Sequence, residues 1–319
     1  MLYLVHKQCQ LCGKQFTDDK MRNLFDVKYS QYCEKCILQY NFCDHCDNYY
    51  QRTCACTTPQ KEDEPTINQY NRKFKYKLYS HNNDELFFGI EFEIELPLVL
   101  RRDQIEQKFI QNEENKDIYK KIDEIYKYDW IEFKYDGSLS NGVEIVTHPL
   151  GWNWIHENID KIDKIFQLKK YGASGRNNTT CGQHIHINKN YITTFHLYKI
   201  MKFFDDNKDF IIKISGRTNN NLKRWATFNR NIKDEAKKKY SNGRGVAINL
   251  CNEHTIEFRI FKGTLSRNIF MRNIETVKSL IEYIRDEKIN SMSIAGYSKF
   301  VNKNKKEYPE INHFLNGDI

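Results

Sequence analysis

The sequence contains no long uninterrupted apolar run. A membrane-spanning helix needs about eighteen or more consecutive, mostly apolar residues, and no window of this 319-residue chain approaches that pattern. The first ten residues, MLYLVHKQCQ, also lack the basic segment and following apolar run of a secretory signal. We therefore expect no membrane segment and a cytoplasmic location.

Internal repeats, a glycine-rich phosphate-binding loop and a strong charge of either sign are absent as well. Lysine and arginine total 50 against 42 acidic residues, a net charge of +8. This mild basicity permits a nucleic acid partner but does not favour one. The chain is 39% hydrophobic and 14% aromatic, which is enough to bury a large core. Length and composition predict one large domain and one small one.

Cysteine is concentrated near the start of the chain. In a cytoplasmic protein, closely spaced cysteine pairs are typical of zinc ligands, because two thiolates on a tight turn can reach one tetrahedral ion. We expect two structural zinc sites, the first two pairs in one and the last two in the other, although an interleaved pairing has the same spacings. The pairs are Cys9 with Cys12, Cys33 with Cys36, Cys43 with Cys46, and Cys54 with Cys56.

This cysteine-rich segment predicts a separate module. His6 and His45 are spare candidate ligands, and the alternative interpretation is a disulfide-bonded module of a secreted protein. A segment this short has little core, so metal would supply its stability. The change in composition after it predicts a zinc-binding module over residues 1–57, a linker over 58–74 and a large domain over 75–319.

The large domain shows strand and helix patterns without a regular βαβ order. This irregular order predicts an α+β fold with a largely antiparallel sheet. The last long helix has one apolar face and should pack on that sheet. Strands are predicted near 86–97, 130–135, 142–147, 182–188, 244–250 and 255–262, and helices near 103–128, 153–168, 193–213 and 267–287.

Four of these strands carry metal-binding or phosphate-binding side chains at every second position. Alternate residues of a strand point to the same face, and one acidic strand alone would be typical of an ordinary half-buried strand. The recurrence in four strands favours a site. The segments are FGIEFEIELPL with Glu91, Glu93 and Glu95, DGSLSNGVEIVTHPL with Asp136 and Glu144, CGQHIHIN with His184 and His186, and TIEFRIFKGTL with Glu257 and Arg259.

These residue types predict a divalent cation site that handles phosphate. Carboxylates with one or two imidazoles suit Mg²⁺ or Mn²⁺, with phosphate oxygens as remaining ligands. An arginine two positions after a metal-binding glutamate would lie beside the cation, where its planar fork can bind a phosphate. Phosphoryl transfer and metal-dependent hydrolysis both fit this composition.

Taken in order and spacing, the four segments resemble the amidoligase family, a branch of the carboxylate-amine ligases with a glutamine-synthetase-like catalytic domain. The resemblance covers about residues 86–319 and omits the cysteine-rich module. It implies a curved antiparallel sheet flanked by helices that binds ATP and two or three divalent cations. It also implies an ATP-dependent ligase that forms an amide or isopeptide bond.

The resemblance implies a role for each charged strand residue. Glu91 and Glu93 would each bind one of the two main cations. Glu144 would share the cation of Glu93, whereas His184 and Glu257 would join Glu91.

Two further residues would contact the nucleotide. His186 would lie near its phosphates, and Arg259 would face the γ-phosphate. Arg217, Arg224 and Arg244 are additional candidates, although surface arginines are common. Asp136 and Glu95 have either a structural or a site role.

The mechanism that the resemblance implies proceeds through an acyl phosphate and needs no protein nucleophile. We therefore expect Cys181 and Cys251 to serve packing. The zinc module would bring a peptide or protein substrate to the site. The alternatives are a nucleic-acid-binding or protein-binding zinc factor with a scaffold domain, and a metal-dependent hydrolase.

Overall fold

The chain forms two compact units, Met1–Glu64 and Pro65–Ile319. No helix in the described part of the chain is long and apolar enough to cross a membrane. The computed structural model describes residues 6–17, 21–23, 30–43, 48–51, 76–80, 84–97, 116–139, 141–175, 180–241 and 243–317.

In the smaller unit, the described residues form short antiparallel strand pairs and one helical turn. Strand β1 pairs with β2, β3 with β4, and β5 with β6. Their bounds are β1 His6–Gln8, β2 Gln15–Thr17, β3 Met21–Arg22, β4 Tyr32–Cys33, α1 Glu34–Ile37, β5 Asn41–Cys43 and β6 Asn48–Tyr50.

The larger unit is built on one antiparallel sheet in the order β12-β13-β11-β7-β9-β8, with β10 paired to the start of β7. Every pairing between these strands is antiparallel, which confirms the predicted α+β class. The strands are β7 Phe87–Glu95, β8 Ile131–Lys134, β9 Gly142–Thr147, β10 Leu150–Gly151, β11 Gly182–Asn188, β12 Ile248–Asn249 and β13 Thr255–Lys262.

Helices fill most of the remaining described sequence of this unit. They are α2 Lys116–Tyr126, α3 Trp152–Glu157, α4 Ile159–Gln167, α5 Thr194–Asp206, α6 Lys208–Ser215, α7 Asn219–Trp225, α8 Ile232–Lys238, α9 Arg267–Asp286, α10 Ile294–Lys303 and α11 Pro309–Leu315. The predicted helix over 103–128 is described only from residue 116 onward.

Two predicted helices are each divided in two by an asparagine. The Asn207 side-chain amide donates to the Phe203 carbonyl at 2.8 Å and separates α5 from α6. The Asn158 amide donates in the same way to the Trp154 carbonyl at 3.0 Å, between α3 and α4. Asparagine competes for backbone hydrogen bonds in this manner, so the prediction of one continuous helix was wrong over 153–168 and 193–213.

One face of the sheet packs against helices. Ile90, Phe92 and Ile94 of β7 are buried, and the Phe92 ring stacks on Phe270 of α9 at 5.2 Å between centroids. Phe166 of α4 contacts the same Phe270 ring edge-on at 5.2 Å. Since neighbouring residues of a strand point to opposite faces, the glutamates of β7 lie on the other face of the sheet.

Candidate active site

Strand register brings the predicted site residues together. Glu93 of β7 pairs with Glu144 of β9, and Glu91 pairs with His184 of β11. On the other side of β11, His186 pairs with Glu257 of β13. Residues directly opposite each other in a sheet have neighbouring side chains, so four strands contribute to one cluster.

The first donor set consists of Glu91, His184 and Glu257. One ligand atom from each lies within 4.8 Å of the others. His184 Nδ1 is 2.8 Å from Glu91 Oε2 and 3.5 Å from Glu257 Oε1. Two of the three side chains are buried, and Glu91 is half-buried, so this set opens toward solvent at Glu91.

A second donor set uses the other nitrogen of the same histidine. Glu93, Glu144 and His184 also offer ligand atoms within 4.8 Å of one another, and all three are buried. His184 Nε2 lies 3.6 Å from Glu93 Oε1, while Glu93 Oε2 accepts a hydrogen bond from the backbone N–H of Gly182. The two donor sets therefore share His184.

The carboxylates of the second donor set repel one another. Burial, and then the charges of Glu91 and Glu93, raise the pKa of Glu144 well above its ordinary range. Burial also raises the pKa of Glu93, against the opposing effect of His184. A divalent cation would offset this repulsion, and carboxylates with one imidazole fit Mg²⁺ or Mn²⁺.

The first donor set has the opposite electrostatic balance. Burial favours the neutral acid at Glu91, but His186 and His184 together hold its pKa well below the ordinary range. At Glu257 burial is likewise outweighed, chiefly by His186 and Arg259, so its pKa is lowered. Both carboxylates are therefore anionic at neutral pH, which is the form that coordinates a cation.

His186 forms ion pairs with the first donor set. Its Nε2 is 3.0 Å from Glu91 Oε1 and 4.0 Å from Glu257 Oε1, and its Nδ1 is 3.1 Å from Thr255 Oγ1. Burial opposes the charged imidazolium, but Glu91 and Glu257 outweigh it and raise the pKa of His186. Its expected position near nucleotide phosphates stays a prediction.

Two arginines border the cluster. Arg259 donates from one terminal nitrogen to Glu257 Oε1, and its buried Nε has no hydrogen-bond partner in the described part of the chain. Arg217 is only 5% exposed, and its Nε donates to the Ile260 and Phe261 carbonyls at 3.2 Å each. Burial lowers the pKa of Arg217 to about 10, with Glu93 opposing, so it stays protonated at neutral pH.

Sequence reasoning did not separate Arg217 from the other candidate arginines. Arg224 lies over the Trp225 ring at 4.6 Å, and Arg244 is exposed. No local pattern marks Arg217 as buried, because it follows α6 and reaches the cluster only through the tertiary fold.

Two asparagines that sequence reasoning missed hold Glu257 in place. Glu257 Oε2 accepts from Asn249 Nδ2 at 2.6 Å and from Asn252 Nδ2 at 3.2 Å. Asn249 pairs with Glu257 in the sheet register. In the sequence, the sign of a special role for Asn249 was its position as a polar residue within the otherwise apolar segment AINL.

Tyr76 is another site neighbour that sequence reasoning missed. Burial raises the pKa of its phenol, and so do the nearby charges of Glu91 and Glu144, yet the residue is 59% exposed. Tyr76 therefore lies near the solvent-facing side of the cluster.

Glu95 and Asp136, for which the sequence allowed either a structural or a site role, each accept a hydrogen bond from the backbone of a turn. Glu95 Oε2 accepts from the backbone N–H of Asn141 at 2.7 Å, and Asp136 Oδ1 accepts from that of Ser138 at 2.7 Å. Neither belongs to a donor set found among the described residues.

The two isolated cysteines lie in packed surroundings. Burial raises the pKa of the Cys181 thiol to about 12, which disfavours the nucleophilic thiolate. Cys251 donates from Sγ to the Ser241 carbonyl at 3.2 Å.

The side chains of the first two cysteine pairs also lie close to one another. Cys9, Cys12, Cys33 and Cys36 form one group of potential metal ligands. Cys46, Cys54 and Cys56, the side chain of Cys43 and both spare histidine side chains lie outside the described residues.

Comparison with known families assigns the larger unit. The family model described as "Putative amidoligase enzyme" matches residues 84–246. The chain belongs to the amidoligase family. The match includes β7, β9 and β11, so Glu91, Glu93, Glu144 and His184 lie within it, whereas β13 lies beyond it. No curated protein is significantly similar to this amidoligase-family chain.

Gly182 allows the side chains of the candidate site to pack closely together. A Cβ atom at this position would lie 2.6 Å from a terminal nitrogen of Arg217, 2.7 Å from His184 Nε2 and 3.1 Å from Glu93 Oε2. We expect Gly182→Ala to displace these groups, to lower metal-dependent activity by about tenfold or more, and to destabilise the fold by about 1–3 kcal/mol. Steady-state kinetics and urea unfolding measure the two effects.

The control for this substitution is Gly137→Ala, where a Cβ would meet no atom within 4 Å. Unchanged kinetics in Gly182→Ala would show that the crowded arrangement around Gly182 is not required for activity.

Proposed function

We propose that this chain is an ATP-dependent ligase that joins a carboxylate to an amine, with ATP and divalent cations bound at the candidate active site. Membership of the amidoligase family supports an ATP-dependent ligase in general. The observation that carries the proposal is the pair of overlapping donor sets that share His184. Two adjacent cations suit the transfer of a phosphoryl group between oxygens.

The proposed reaction has two steps. A carboxylate oxygen of the substrate attacks the γ-phosphorus of ATP, ADP leaves, and an acyl phosphate forms. The amine nitrogen then attacks the acyl carbon, phosphate leaves with the carbon–oxygen bond electrons, and an amide remains after the nitrogen loses a proton. Positioning and charge stabilisation account for most of the acceleration in such transfers.

The carboxylates would hold the cations. Glu91 and Glu257 would bind one Mg²⁺ or Mn²⁺ ion, and Glu93 and Glu144 the other, with His184 between them. These ions neutralise negative charge on the phosphate oxygens when they are bound. The backbone N–H of Gly182 fixes one oxygen of Glu93, which leaves the other oxygen for the ion.

The arginines would bind the transferred phosphate. Arg259 is anchored at Glu257 through one terminal nitrogen, and its remaining donors include the buried Nε, which has no hydrogen-bond partner among the described residues. A planar guanidinium held in this way suits phosphate oxygens. Arg217 adds a second buried positive charge beside Glu93, so negative charge that develops during transfer would be stabilised.

Two finer features are proposed from the family resemblance. They are a glutamine-synthetase-like curvature of the sheet and a peptide or protein substrate. An antiparallel sheet with helices on one face and charged residues on the other supports the first of these.

The decisive experiment labels the substrate carboxylate with oxygen-18. The full-length protein is incubated with ATP, Mg²⁺, pooled labelled amino acids or peptides and pooled amines, and ADP and phosphate are measured. We expect ADP release that requires the carboxylate, amide formation that also requires the amine, and transfer of one labelled oxygen to inorganic phosphate.

Other outcomes would contradict the proposal. Release of ADP at the same rate without any carboxylate would indicate an ATPase. Cleavage of phosphoesters or peptides with metal alone would indicate a hydrolase. Unlabelled phosphate from a reaction that forms amide would exclude the acyl phosphate.

A further inference from the structure

Four cysteine thiols converge in the smaller unit. The Sγ atoms of Cys9, Cys12, Cys33 and Cys36 all lie within 4.8 Å of one another. In a tetrahedral tetrathiolate zinc site with Zn–S bonds of about 2.3 Å, the sulfur atoms are about 3.8 Å apart. The cluster therefore has the dimensions of such a site after a small contraction.

Each cysteine pair is held in a hydrogen-bonded turn. The Cys9 N–H donates to the Lys14 carbonyl, and the Gly13 N–H donates to the Cys9 carbonyl, both at 2.9 Å. Gly13 has a φ of 70°, which favours glycine. Cys33 directly precedes α1, and Cys36 lies within it, so strand end and helix together present the second pair.

Backbone contacts join the two turns. The Gln10 N–H donates to the Gln31 carbonyl at 2.9 Å, and the Gln31 N–H donates to Gln10 Oε1 at 3.1 Å. These bonds place the first cysteine pair beside the second. The equal spacings in the sequence left this pairing open.

Little else in the described part of this unit is buried. Apart from Met21, Ser30 and Ile37, its buried side chains are cysteines, and Phe16 and Tyr32 pack only partly against them. The apolar contacts of these described residues are too few to offset the conformational entropy that the same residues lose on ordering. Metal–thiolate bonds can supply the missing free energy of folding.

We propose that Cys9, Cys12, Cys33 and Cys36 bind one zinc ion and that this ion stabilises the fold of the smaller unit. The four thiols are not joined in disulfides. Four protein ligands fill tetrahedral coordination and leave no position for a substrate, so the site is structural. It is independent of the proposed ligase reaction.

The test uses Cys12, because it is the exposed member of the cluster and its replacement leaves the buried thiols in place. Full-length protein is purified under reducing conditions, and zinc and iron per chain are measured by mass spectrometry. We expect Cys12→Ala to bind about one zinc ion fewer than the wild type under competition with a chelator. Cys12→His should retain that ion, because zinc accepts three cysteines and one histidine.

The matched control is Cys251→Ala in the larger unit, which should keep the wild-type zinc content. The result is read as the difference in zinc per chain between a variant and the wild type. Any metal bound by the later cysteines contributes equally to both and does not affect this difference. Equal zinc in Cys12→Ala and wild type would overturn the proposal. The proposal would also be overturned if the protein contained iron in place of zinc. The same holds if mass spectrometry of the protein without reductant showed disulfides within this cluster.

Discussion

Glu144→Gln should remove metal-dependent activity without weakening the metal-free fold. Burial and the neighbouring charges of Glu91 and Glu93 raise the pKa of Glu144 well above its ordinary range, so a negative charge on this side chain is unfavourable in the metal-free protein. Glutamine has nearly the same shape and carries no charge, but it offers a weaker ligand to a cation. We expect activity to fall by about a hundredfold or more, which is about 2.7 kcal/mol of transition-state stabilisation.

The measurements are Mg²⁺-dependent ADP release and urea unfolding in the presence of a chelator. Glu95→Gln is the matched control, because Glu95 lies on the same face of β7 and supports the Asn141 turn rather than a donor set. It should keep near wild-type activity. A loss of more than about 2 kcal/mol in the metal-free stability of Glu144→Gln would instead indicate that the carboxylate itself holds the fold together.

Glu275→Gln should stabilise the protein at alkaline pH. Glu275 lies in α9 with no exposed surface, and its Oε2 accepts from the backbone N–H of Ile311 in α11 at 2.9 Å. Its other oxygen is buried and has no hydrogen-bond partner in the described part of the chain. Burial raises the pKa of Glu275 from an ordinary 4.5 to about 8, while backbone donors at Ile311 and Glu310 act against it.

The sign of the effect follows from the proton balance. Because the folded-state pKa of Glu275 is raised, the native state binds more protons than the unfolded state between about pH 4.5 and about pH 8. The free energy of unfolding therefore decreases as pH rises through this window, by a few kcal/mol in all at about 1.4 kcal/mol per unit. Glutamine cannot ionise, so the stability advantage of Glu275→Gln should grow across the same window.

Denaturant unfolding of wild type and Glu275→Gln at several pH values between 5 and 9 tests this prediction. Glu275→Ala is the control: it cannot ionise either, so its stability relative to wild type should rise over the same window, but it removes the acceptor for the Ile311 N–H and should be less stable than Glu275→Gln at every pH. Parallel stability curves for wild type and Glu275→Gln would exclude the raised pKa.

The alternating glutamates of β7 were enough to predict a charged face, because the period of a strand is set locally. The partners of that strand were not predictable from local sequence. The pairs Glu93–Glu144 and Glu91–His184 depend on register between segments distant in the chain. The prediction that these side chains meet depended on the resemblance of the ordered motifs to a known family, because no single segment determines which strands pair.

Other features depended on tertiary contacts that leave little trace in the sequence. Arg217 follows a helix and reaches the cluster by donating to carbonyls of β13. One predicted helix is divided at Asn207, where the backbone leaves the helical region and the side-chain amide donates to the Phe203 carbonyl. The apolar periodicity of the segment gave no sign of this division. The sequence shows where the cysteines are, but the hydrogen bonds between Gln10 and Gln31 determine which two cysteine pairs lie together.

The sharing of His184 would make the two proposed cation positions unequal. Its Nδ1 faces Glu91 and Glu257, whereas its Nε2 faces Glu93. A neutral imidazole has one lone pair, and its other nitrogen carries a hydrogen. If the two proposed cations bind here, the tautomer of this one ring would select which of them receives a nitrogen ligand, and the other would depend on carboxylate, water or nucleotide oxygens.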